Sequence, residues 1–415
     1  MENIESPENR IKIKNERLQV PNEPVIPLIK GDGIGPDVVK AAITVLDSSV
    51  KQAYNGGRKI FWKEYLAGDS SKKAHGKWLP EETINAIEYY KIALKGPLTT
   101  PVGEGYRSLN VTLRQRLDLY ACVRPVEYIP GVPSRLMNPE ELNVVIFREN
   151  TEDVYAGIEY DACTSKANKV IAFLRDEMGE KIRIDSSIGI KPISEFATKR
   201  ITRAAINYAI KHNRKSVTIV HKGNIMKYTE GGFRKWGYEV AENEFRDCIV
   251  TESEIKERTN SIDGNLENKL VIKDRIADNM MQQIILRTRE YDVLVLPNLT
   301  GDYISDLAAA LVGGLGIAPG ANINYETGKA LFEPTHGTAP KYANQDIANP
   351  TSAILSGVML LDYIGWNEAS SLVKKGVTEC IKENFVTNDF ARQMPGVNPV
   401  KTSEFAKKIV SKIET

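Results

Sequence analysis

Short apolar runs alternate with amphipathic stretches along most of the chain. The apolar runs predict strands, as in VIPLI, KIFWKEYLA, IALKGPLTTP, LNVVIFREN and KSVTIVHKGN. The stretches between them carry apolar residues at helical spacing, as in PEETINAIEYYK, SLNVTLRQRLDLY and TKRITRAAINYAIKHN. Such alternation predicts an α/β fold of the doubly wound kind.

The remaining pattern predicts further elements and one segment of different character. KDRIADNMMQQIILRTREY is predicted as one helix, and residues 227–266 as helix and charged loop. Residues 1–23 are polar and predict an arm or an edge strand. Residues 151–193 hold short alternating runs, which predict a β-rich insertion that pairs with a second subunit. The last elements are predicted as a strand at KALFEP, an apolar helix at SAILSGVMLLDYIGW and an amphipathic helix at SEFAKKIVSKI.

Composition limits the class of protein. The 415 residues are 42% hydrophobic and 26% charged, and 55 basic residues against 54 acidic ones give a formal charge of +1. This balance offers no electrostatic argument for a nucleic acid or membrane partner. No apolar run approaches the ~18 residues of a membrane-spanning helix, and the charged N-terminus shows no secretory signal. The four cysteines lack CxxC spacing, which favours a cytoplasmic protein with free thiols.

Two aspartates follow a predicted buried strand at residues 293–296. Asp302 and Asp306 lie four residues apart on a predicted helix, so their carboxylates project from one face. They repel each other unless a cation or a basic group lies between them. An exposed first helical turn explains the pair equally well, because acidic residues suit that end of a helix.

A set of polar and basic side chains lies between the apolar runs at residues 108–148. Arg124 and Arg148 each interrupt or end an apolar strand, where a charge needs a partner. Arginine binds carboxylates with two parallel hydrogen bonds. The set predicts a small substrate with several negative charges, and its members are Ser108, Asn110, Arg114, Arg124 and Arg148.

Two further side chains have acid–base chemistry to offer. Tyr155 follows the strand that ends near Glu149, and Lys222 ends the strand VTIV. Neighbouring charges and a metal can lower the pKa of such groups into the range useful for proton transfer. Together with the carboxylates and arginines, they indicate metal-assisted chemistry on a hydroxy- or ketopolycarboxylate.

A glycine-rich turn joins the first predicted strand to its helix. It reads Gly31-Asp-Gly33-Ile-Gly35-Pro36, in which the third glycine comes one place too early for the dinucleotide fingerprint GxGxxG. Pro36 suits the first turn of the following helix. We therefore interpret it as a tight turn close to a ligand and not as a Rossmann loop.

Longer motifs carry a resemblance to a known family. GDGIGPDV, FRENTEDVYAGIE, HKGNIMKYTEG, NLTGDYISDLAAALVGGLGIAPGANI and LFEPTHGTAPKYANQDIANP resemble the decarboxylating dehydrogenases of isocitrate and 3-isopropylmalate, above all the prokaryotic NADP-dependent isocitrate dehydrogenases. The resemblance runs from about residue 24 to the C-terminus. It implies a two-domain fold that is not a classical Rossmann fold, with a clasp insertion and a homodimer whose active sites are shared. The implied segments are 1–119 and 315–415 for a large domain, 120–152 and 198–314 for a small domain, and 153–197 for the clasp.

The resemblance also implies roles, residue by residue. Lys222, from the partner subunit, would deprotonate the substrate hydroxyl, and Tyr155 would return a proton to the enol left by decarboxylation. Asp302 and Asp306, with Asp278 from the partner, would hold Mg²⁺ or Mn²⁺. Isocitrate would be held by Ser108, Asn110, Arg114, Arg124 and Arg148, with Lys95 near it. NADP would lie against Thr99, His336, Gly337, Thr338, Ala339, Pro340, Lys341, Tyr342, Asn349, Asn388, Arg392 and the partner's Arg287.

Individual residues bear on substrate, cofactor and regulation. Ser108 and Asn110 stand where isopropylmalate enzymes present an apolar pocket, which favours isocitrate over 3-isopropylmalate. Lys341 and Tyr342 favour a 2′-phosphate and hence NADP. Asn388, however, stands where NADP-using bacterial members usually have tyrosine, which reduces the expected preference for NADP over NAD.

The serine that matches Ser108 is phosphorylated in some bacterial relatives, where the added charge repels the substrate. Homoisocitrate dehydrogenase and a catalytically silent regulatory subunit are the remaining alternatives.

Overall fold

The computed structural model describes residues 9–14, 17–99, 108–258 and 269–415. The predicted charged loop beyond residue 258 and the first eight residues of the predicted N-terminal arm lie outside this part of the chain. The described strands are β1 (Lys12–Lys14), β2 (Arg17–Gln19), β3 (Val25–Ile29), β4 (Phe61–Glu64), β5 (Ile92–Lys95), β6 (Ala121–Glu127), β7 (Asn143–Glu149), β8 (Glu159–Tyr160), β9 (Ile188–Gly189), β10 (Ser216–His221), β11 (Ile249–Thr251), β12 (Leu270–Ile276), β13 (Val293–Leu296), β14 (Pro319–Asn324) and β15 (Lys329–Pro334).

Eleven of these strands form one mixed sheet in the order β11-β12-β10-β13-β7-β6-β14-β15-β5-β3-β4. Neighbours are parallel toward both ends of the sheet. They are antiparallel in the middle, where β14 pairs with β15 and β6, and β6 pairs with β7. Strands from residues 120–314 fill one half of the sheet, and strands from the two ends of the chain fill the other half. This grouping follows the predicted segments, whose boundaries stay a prediction.

Helices surround the sheet. They are α1 (Gly35–Ala53), α2 (Asp69–His75), α3 (Glu81–Tyr90), α4 (Leu109–Arg116), α5 (Ser165–Asp176), α6 (Glu195–Lys211), α7 (Glu230–Glu244), α8 (Glu252–Arg258), α9 (Ala277–Leu286), α10 (Asn298–Leu311), α11 (Thr351–Tyr363), α12 (Asn367–Lys382), α13 (Asn388–Ala391) and α14 (Thr402–Ile413). In the described ranges none of them combines the length and apolar character needed to cross a bilayer.

The core forms where apolar helix faces meet the sheet. Helix α1 begins with Pro36 in its first turn and buries Val38, Val45 and Leu46. It packs against α11, α12 and α14, while α11 covers β14 and β15 and α10 covers β7. Most apolar runs that the sequence pattern assigned to strands are buried on both faces, as in β13, where all four residues are inaccessible. Strand β4 is an exception, because its first three residues are only half-buried and Glu64 is exposed.

The helix predicted at KDRIADNMMQQIILRTREY begins four residues late. Residues 273–276 belong to β12, which pairs in parallel with β10, and α9 begins at Ala277. Tertiary partners satisfy the charges in this strand: Asp274 accepts from His221 at 3.0 Å and from Tyr238 at 2.8 Å. These contacts permit a strand where the sequence pattern predicted the start of a helix.

Strand β14 was missed because its sequence, PGANIN, has no apolar periodicity. Its two asparagines are nevertheless buried. Asn322 Nδ2 donates to Glu333 at 2.7 Å, and Asn324 Nδ2 donates to the backbone oxygen of Asp118 at 2.8 Å. Side-chain hydrogen bonds thus offset the burial of amides in the middle of the sheet.

The predicted β-rich insertion contains little strand. Strands β8 and β9 pair antiparallel over two residues each, outside the main sheet. Between them lies α5, which the sequence pattern did not predict and which Thr164 caps at its N-terminus. Phe173 and Ile184 remain largely exposed in this segment, at 57% and 67% of their surface.

Candidate active site

The carboxyl ends of β7 and β13 bring Arg148 against helix α10. Leu296 of β13 is paired with Arg148 of β7, and α10 begins at Asn298. Arg148 Nε donates to Asn298 Oδ1 at 2.9 Å, and Arg148 Nη1 donates to Asp302 Oδ1. Gly301 permits this approach, because a Cβ there would lie 2.6 Å from Arg148 Cγ. The strand end therefore fixes a buried guanidinium beside the first turns of the helix.

Arg124, from the neighbouring strand β6, approaches the same helix. Its Nη1 donates to Ser305 Oγ at 2.6 Å and to Asp306 Oδ1 at 3.2 Å, and lies 3.7 Å from Asp302 Oδ1. The predicted repulsion between Asp302 and Asp306 is thus relieved in this chain by basic groups. The two arginines and two aspartates form one cluster at the edge where open α/β sheets bind ligands.

The two aspartates differ in their electrostatics. Burial raises the pKa of Asp302, but the charge of Arg148 and the hydrogen bond from Tyr155 outweigh it, so the pKa lies below its ordinary value. Burial dominates at Asp306 and raises its pKa, although Arg124 opposes the shift. Asp302 is therefore the more firmly ionised carboxylate of the pair.

Tyr155 completes the cluster from the loop after β7. Its hydroxyl donates to Asp302 Oδ2 at 2.5 Å, and the guanidinium carbon of Arg148 lies 4.9 Å from its ring centroid. Burial and the hydrogen bond to Asp302 raise the pKa of Tyr155 to about 12. The charge of Arg148 lowers this pKa, as neighbouring cations were expected to do, but burial and the hydrogen bond to Asp302 outweigh it.

A second buried network lies around Glu333, at the end of β15. Lys95 Nζ lies 2.6 Å from Glu333 Oε2, and Arg114 Nη2 donates to Glu333 Oε1 at 2.9 Å. Burial opposes the charge on Glu333, but Lys95 and Arg114 hold its pKa well below the ordinary value. Burial lowers the pKa of Lys95, which Glu333 partly restores. Glu333 therefore fixes two of the predicted substrate residues.

Helix α4 presents the predicted polar substrate contacts. Ser108 is its N-cap residue, and Asn110 and Arg114 lie four residues apart on one face. The buried Asn110 Oδ1 and Arg114 Nε have no hydrogen-bond partner among the described residues. Buried polar atoms normally have partners, so these two atoms are suited to contacts with a bound polar molecule.

The predicted cofactor residues begin with a loop that packs on the glycine-rich turn. Ile34 N donates to Thr338 O at 2.9 Å, and a Cβ at Gly33 would lie 2.0 Å from that oxygen. Thr99 Oγ1 lies 3.5 Å from Thr338 Oγ1. His336 Nε2 is buried without a partner in the described part of the chain, and burial lowers the pKa of His336. The structure thus brings Thr99 against the loop 336–342, which itself carries this unsatisfied ring nitrogen.

The other residues predicted to bind the cofactor lie in separate parts of the structure. Asn349 Nδ2 donates to Asp389 Oδ2 at 2.9 Å, which ties it to helix α13, where Asn388 and Arg392 lie at the two ends. Lys341 Nζ lies 4.6 Å from the ring of Tyr342, and both side chains are exposed. Arg287 lies apart from these residues, at the end of α9, and its Nη1 is 3.7 Å from Glu290.

Lys222 and Asp278 contact each other and not the cluster of arginines and aspartates. Strands β10 and β12 are parallel neighbours, so the residues that follow them lie close together. Lys222 Nζ donates to Asp278 Oδ1, and this hydrogen bond lowers the pKa of Asp278. Within the described chain no contact joins either side chain to Asp302 or Tyr155, which is consistent with a contribution to a partner's site.

The carboxylates of the cluster are chemically suited to a hard divalent cation, but they are too few to hold one by themselves. Asp302 and Asp306 offer oxygen ligands on one helix face, the type that Mg²⁺ and Mn²⁺ prefer. Within the described ranges no group of three or more His, Cys, Asp or Glu side chains is placed to hold a metal ion. A complete site would need a further ligand from a substrate, water or a second chain, as the Asp278 prediction requires.

Several residues of the site were not predicted from the sequence. Glu333 contacts Lys95 and Arg114 directly, and Asn322 donates a hydrogen bond to Glu333. Ser305 accepts a hydrogen bond from Arg124. The sequence carried a signal for Glu333, because it is the one acidic residue in the predicted strand KALFEP. Ser305 could have been found from its place between the two aspartates. Asn322 had no signal, since its strand was not predicted.

Comparisons with known proteins agree in naming one family. A family model described as isocitrate/isopropylmalate dehydrogenase matches residues 25–409. A protein of Archaeoglobus fulgidus named isocitrate dehydrogenase (NADP) is 56% identical over 416 residues, covering 100% of this chain and 99% of that protein. One of the same name from Staphylococcus epidermidis is 54% identical over 417 residues, covering 97% and 99%. A crystal structure of isocitrate dehydrogenase from Methylococcus capsulatus superimposes with a TM-score of 0.77 at 39% identity, covering 94% of this chain and 99% of that chain.

Proposed function

The chain belongs to the isocitrate/isopropylmalate dehydrogenase family, and we propose that it oxidises and decarboxylates isocitrate to 2-oxoglutarate and CO₂ with NADP. One observation carries this proposal: two buried arginines converge with Tyr155 on the aspartates of a single helix. Such a cluster binds carboxylates and a cation together.

The substrate's three carboxylates match the cations and polar groups of the site. Arg124 and Arg148 present guanidinium groups at one side, and Arg114 presents one from α4. Asn110 Oδ1 and Arg114 Nε have no partner among the described residues, and they favour a polar arm of the substrate over an isopropyl group, because an apolar group could not satisfy either atom. This favours isocitrate over 3-isopropylmalate.

The chain's own residues supply the proton transfers. Bound NADP would accept a hydride, and a divalent cation held by Asp302 and Asp306 would stabilise the negative charge that develops as CO₂ leaves. Lys222 removes the proton from the substrate hydroxyl. Tyr155, which holds its proton beside Asp302, donates one to the carbon that lost CO₂.

The proposed enzyme is a homodimer with shared sites. Lys222 and Asp278 pair with each other, and within the described chain no contact joins them to the cluster at Asp302, which supports a second subunit as their source. The exposed apolar side chains Phe173 and Ile184 favour the segment 153–197 as part of the subunit contact. The two halves of the sheet, divided between β6 and β14, are the proposed small and large domains.

A single assay matrix tests the function. Purified protein is given isocitrate, homoisocitrate or 3-isopropylmalate, each with NADP⁺ or NAD⁺ and with Mg²⁺, Mn²⁺ or EDTA. We expect the largest rise in absorbance at 340 nm with isocitrate, NADP⁺ and a metal ion, and its loss with EDTA. No rise under these conditions contradicts the proposal, and a faster reaction with another acid identifies the alternative enzyme.

Lys341 provides a separate test of cofactor choice. Replacing Lys341 with aspartate removes a cation and adds a charge that repels a 2′-phosphate, so kcat/KM for NADP⁺ should fall relative to that for NAD⁺ by roughly 10–100-fold. The matched control is Lys51→Asp, which makes the same charge change on the exposed face of α1. An unchanged ratio of the two kcat/KM values in Lys341→Asp would exclude a role in recognising the phosphate.

A further inference from the structure

The buried carboxylate of Asp32 joins three segments of the chain. Its Oδ2 accepts the backbone N–H of Thr99 at 2.8 Å, and its Oδ1 accepts the backbone N–H of Asp69 at 2.8 Å. Asp32 lies within the glycine-rich turn and is only 4% exposed. Two hydrogen bonds to one ionised group are among the stronger contacts available to a loop.

Backbone contacts make the same junction tight. Asp32 N donates to Pro97 O at 2.7 Å, just before Thr99. A Cβ at Gly31 would lie 2.3 Å from Pro97 O, and one at Gly68 would lie 2.2 Å from Asp32 Oδ2. Gly31 and Gly68 both have positive φ, at +80° and +74°. Side chains are therefore excluded around the carboxylate, which has little room to move.

The junction reaches the cofactor loop through the next residues of the turn. Ile34 N donates to Thr338 O at 2.9 Å, and Thr99 Oγ1 lies 3.5 Å from Thr338 Oγ1. The turn thus contacts the loop 336–342 on one side and holds Thr99 by the Asp32 carboxylate on the other. The family resemblance implies that Thr99 approaches the nicotinamide and that the loop 336–342 holds the adenosine part of NADP.

We infer that Asp32 is a positioning residue for NADP: its hydrogen bond to the N–H of Thr99 holds Thr99 in register with the loop 336–342, and its hydrogen bond to the N–H of Asp69 fixes the carboxylate. This inference rests on the proposed function. It assigns a task to the aspartate of a turn that otherwise serves as a connection between β3 and α1. Burial raises the pKa of Asp32, while the N–H groups of Thr99 and Asp69 oppose the shift. Those two donors are therefore what favours the charged form of the group.

Binding and kinetics of Asp32→Asn test the inference. Asparagine keeps the shape but has one oxygen acceptor, so one of the two N–H donors faces an amide NH₂ group. We expect the Kd for NADPH, measured by fluorescence titration, and the KM for NADP⁺ to rise about tenfold. The KM for isocitrate should change less than about twofold, because the substrate cluster is held by other contacts.

Two further variants keep the test decisive. Asp69→Asn removes a neighbouring charge whose carboxylate has no hydrogen bond within the described residues, so it should bind NADPH like the wild type. Gly68→Ala retains every charge but pushes on Asp32 Oδ2, and should weaken NADPH binding as Asp32→Asn does. It replaces Asp32→Asn as the deciding variant if circular dichroism shows that the latter is unfolded.

The outcomes separate this inference from the proposed function. If a folded Asp32→Asn or Gly68→Ala variant binds NADPH as tightly as Asp69→Asn does, the inference is overturned but the proposed function is not. Equal losses of NADPH and isocitrate affinity also overturn it, because they indicate general structural damage. Wild-type protein that neither binds NADPH nor reduces NADP⁺ with isocitrate overturns the proposed function together with the inference.

Discussion

Replacing Lys222 with methionine should lower kcat for isocitrate oxidation by about 10²–10⁴-fold, the usual contribution of a general base. Methionine has a similar length but no basic atom. The ion pair of Lys222 with Asp278 is partly exposed, with 31% and 65% of the two side chains accessible, so its loss should cost little stability. The measurement is kcat at saturating substrate and metal, with the melting temperature as a check on folding. The control is Lys227→Met, an exposed lysine of the same loop.

Hybrid dimers can show that Lys222 acts in the partner's site. Neither Lys222→Met nor Asp302→Asn should be active alone. A hybrid of the two has one site that combines an intact Asp302 with an intact Lys222 from the other chain. Random pairing on co-expression should restore about a quarter of the wild-type activity, since half of the dimers are hybrids with one intact site each. Activity that stays at the level of the separate variants would place Lys222 in its own chain's site.

The sequence predicted those parts of the fold that have a regular pattern. The buried strands β7, β10 and β13 and the helices α3, α6 and α11 have clear periodicity, and each lies where the pattern placed it. Strands β12 and β14 were not predicted, because charged or amide side chains occupy buried positions there. Their hydrogen bonds to distant residues offset the burial, and a local pattern contains no information about such partners.

The sequence indicated which residue types form the site, but it did not indicate which of these residues contact each other. The pattern left Asp302 and Asp306 open between a metal site and an exposed turn, and the structure adds that Arg124 and Arg148 lie beside them. Family resemblance, not periodicity, supplied the roles of Lys222 and Tyr155. Glu333 escaped prediction because its contact with Arg114 joins residues that are 219 positions apart.

The same buried glutamate gives the second large effect. Glu333→Gln preserves volume but removes the charge that Lys95 and Arg114 share, so two buried cations lose their counterion. Breaking a buried pair in this way costs about 3–5 kcal/mol, which urea unfolding should detect as a lower midpoint with an unchanged slope. We also expect a higher KM for isocitrate, because Arg114 and Lys95 are no longer held. The exposed pair Arg116–Glu81 provides the control: Glu81→Gln should leave the urea midpoint close to that of the wild type, because exposed ion pairs contribute little to stability.

The pH dependence separates this charge effect from a packing effect. Because Lys95 and Arg114 hold the pKa of Glu333 below its ordinary value, its ionisation stabilises the folded chain above the unfolded pKa of about 4.3. The difference in unfolding free energy between wild type and Glu333→Gln should therefore be constant from neutral pH to about pH 5, and should shrink as the pH falls below about 4. A difference that stays the same throughout the acid range would mean that glutamine disturbs packing and that the carboxylate charge contributes nothing.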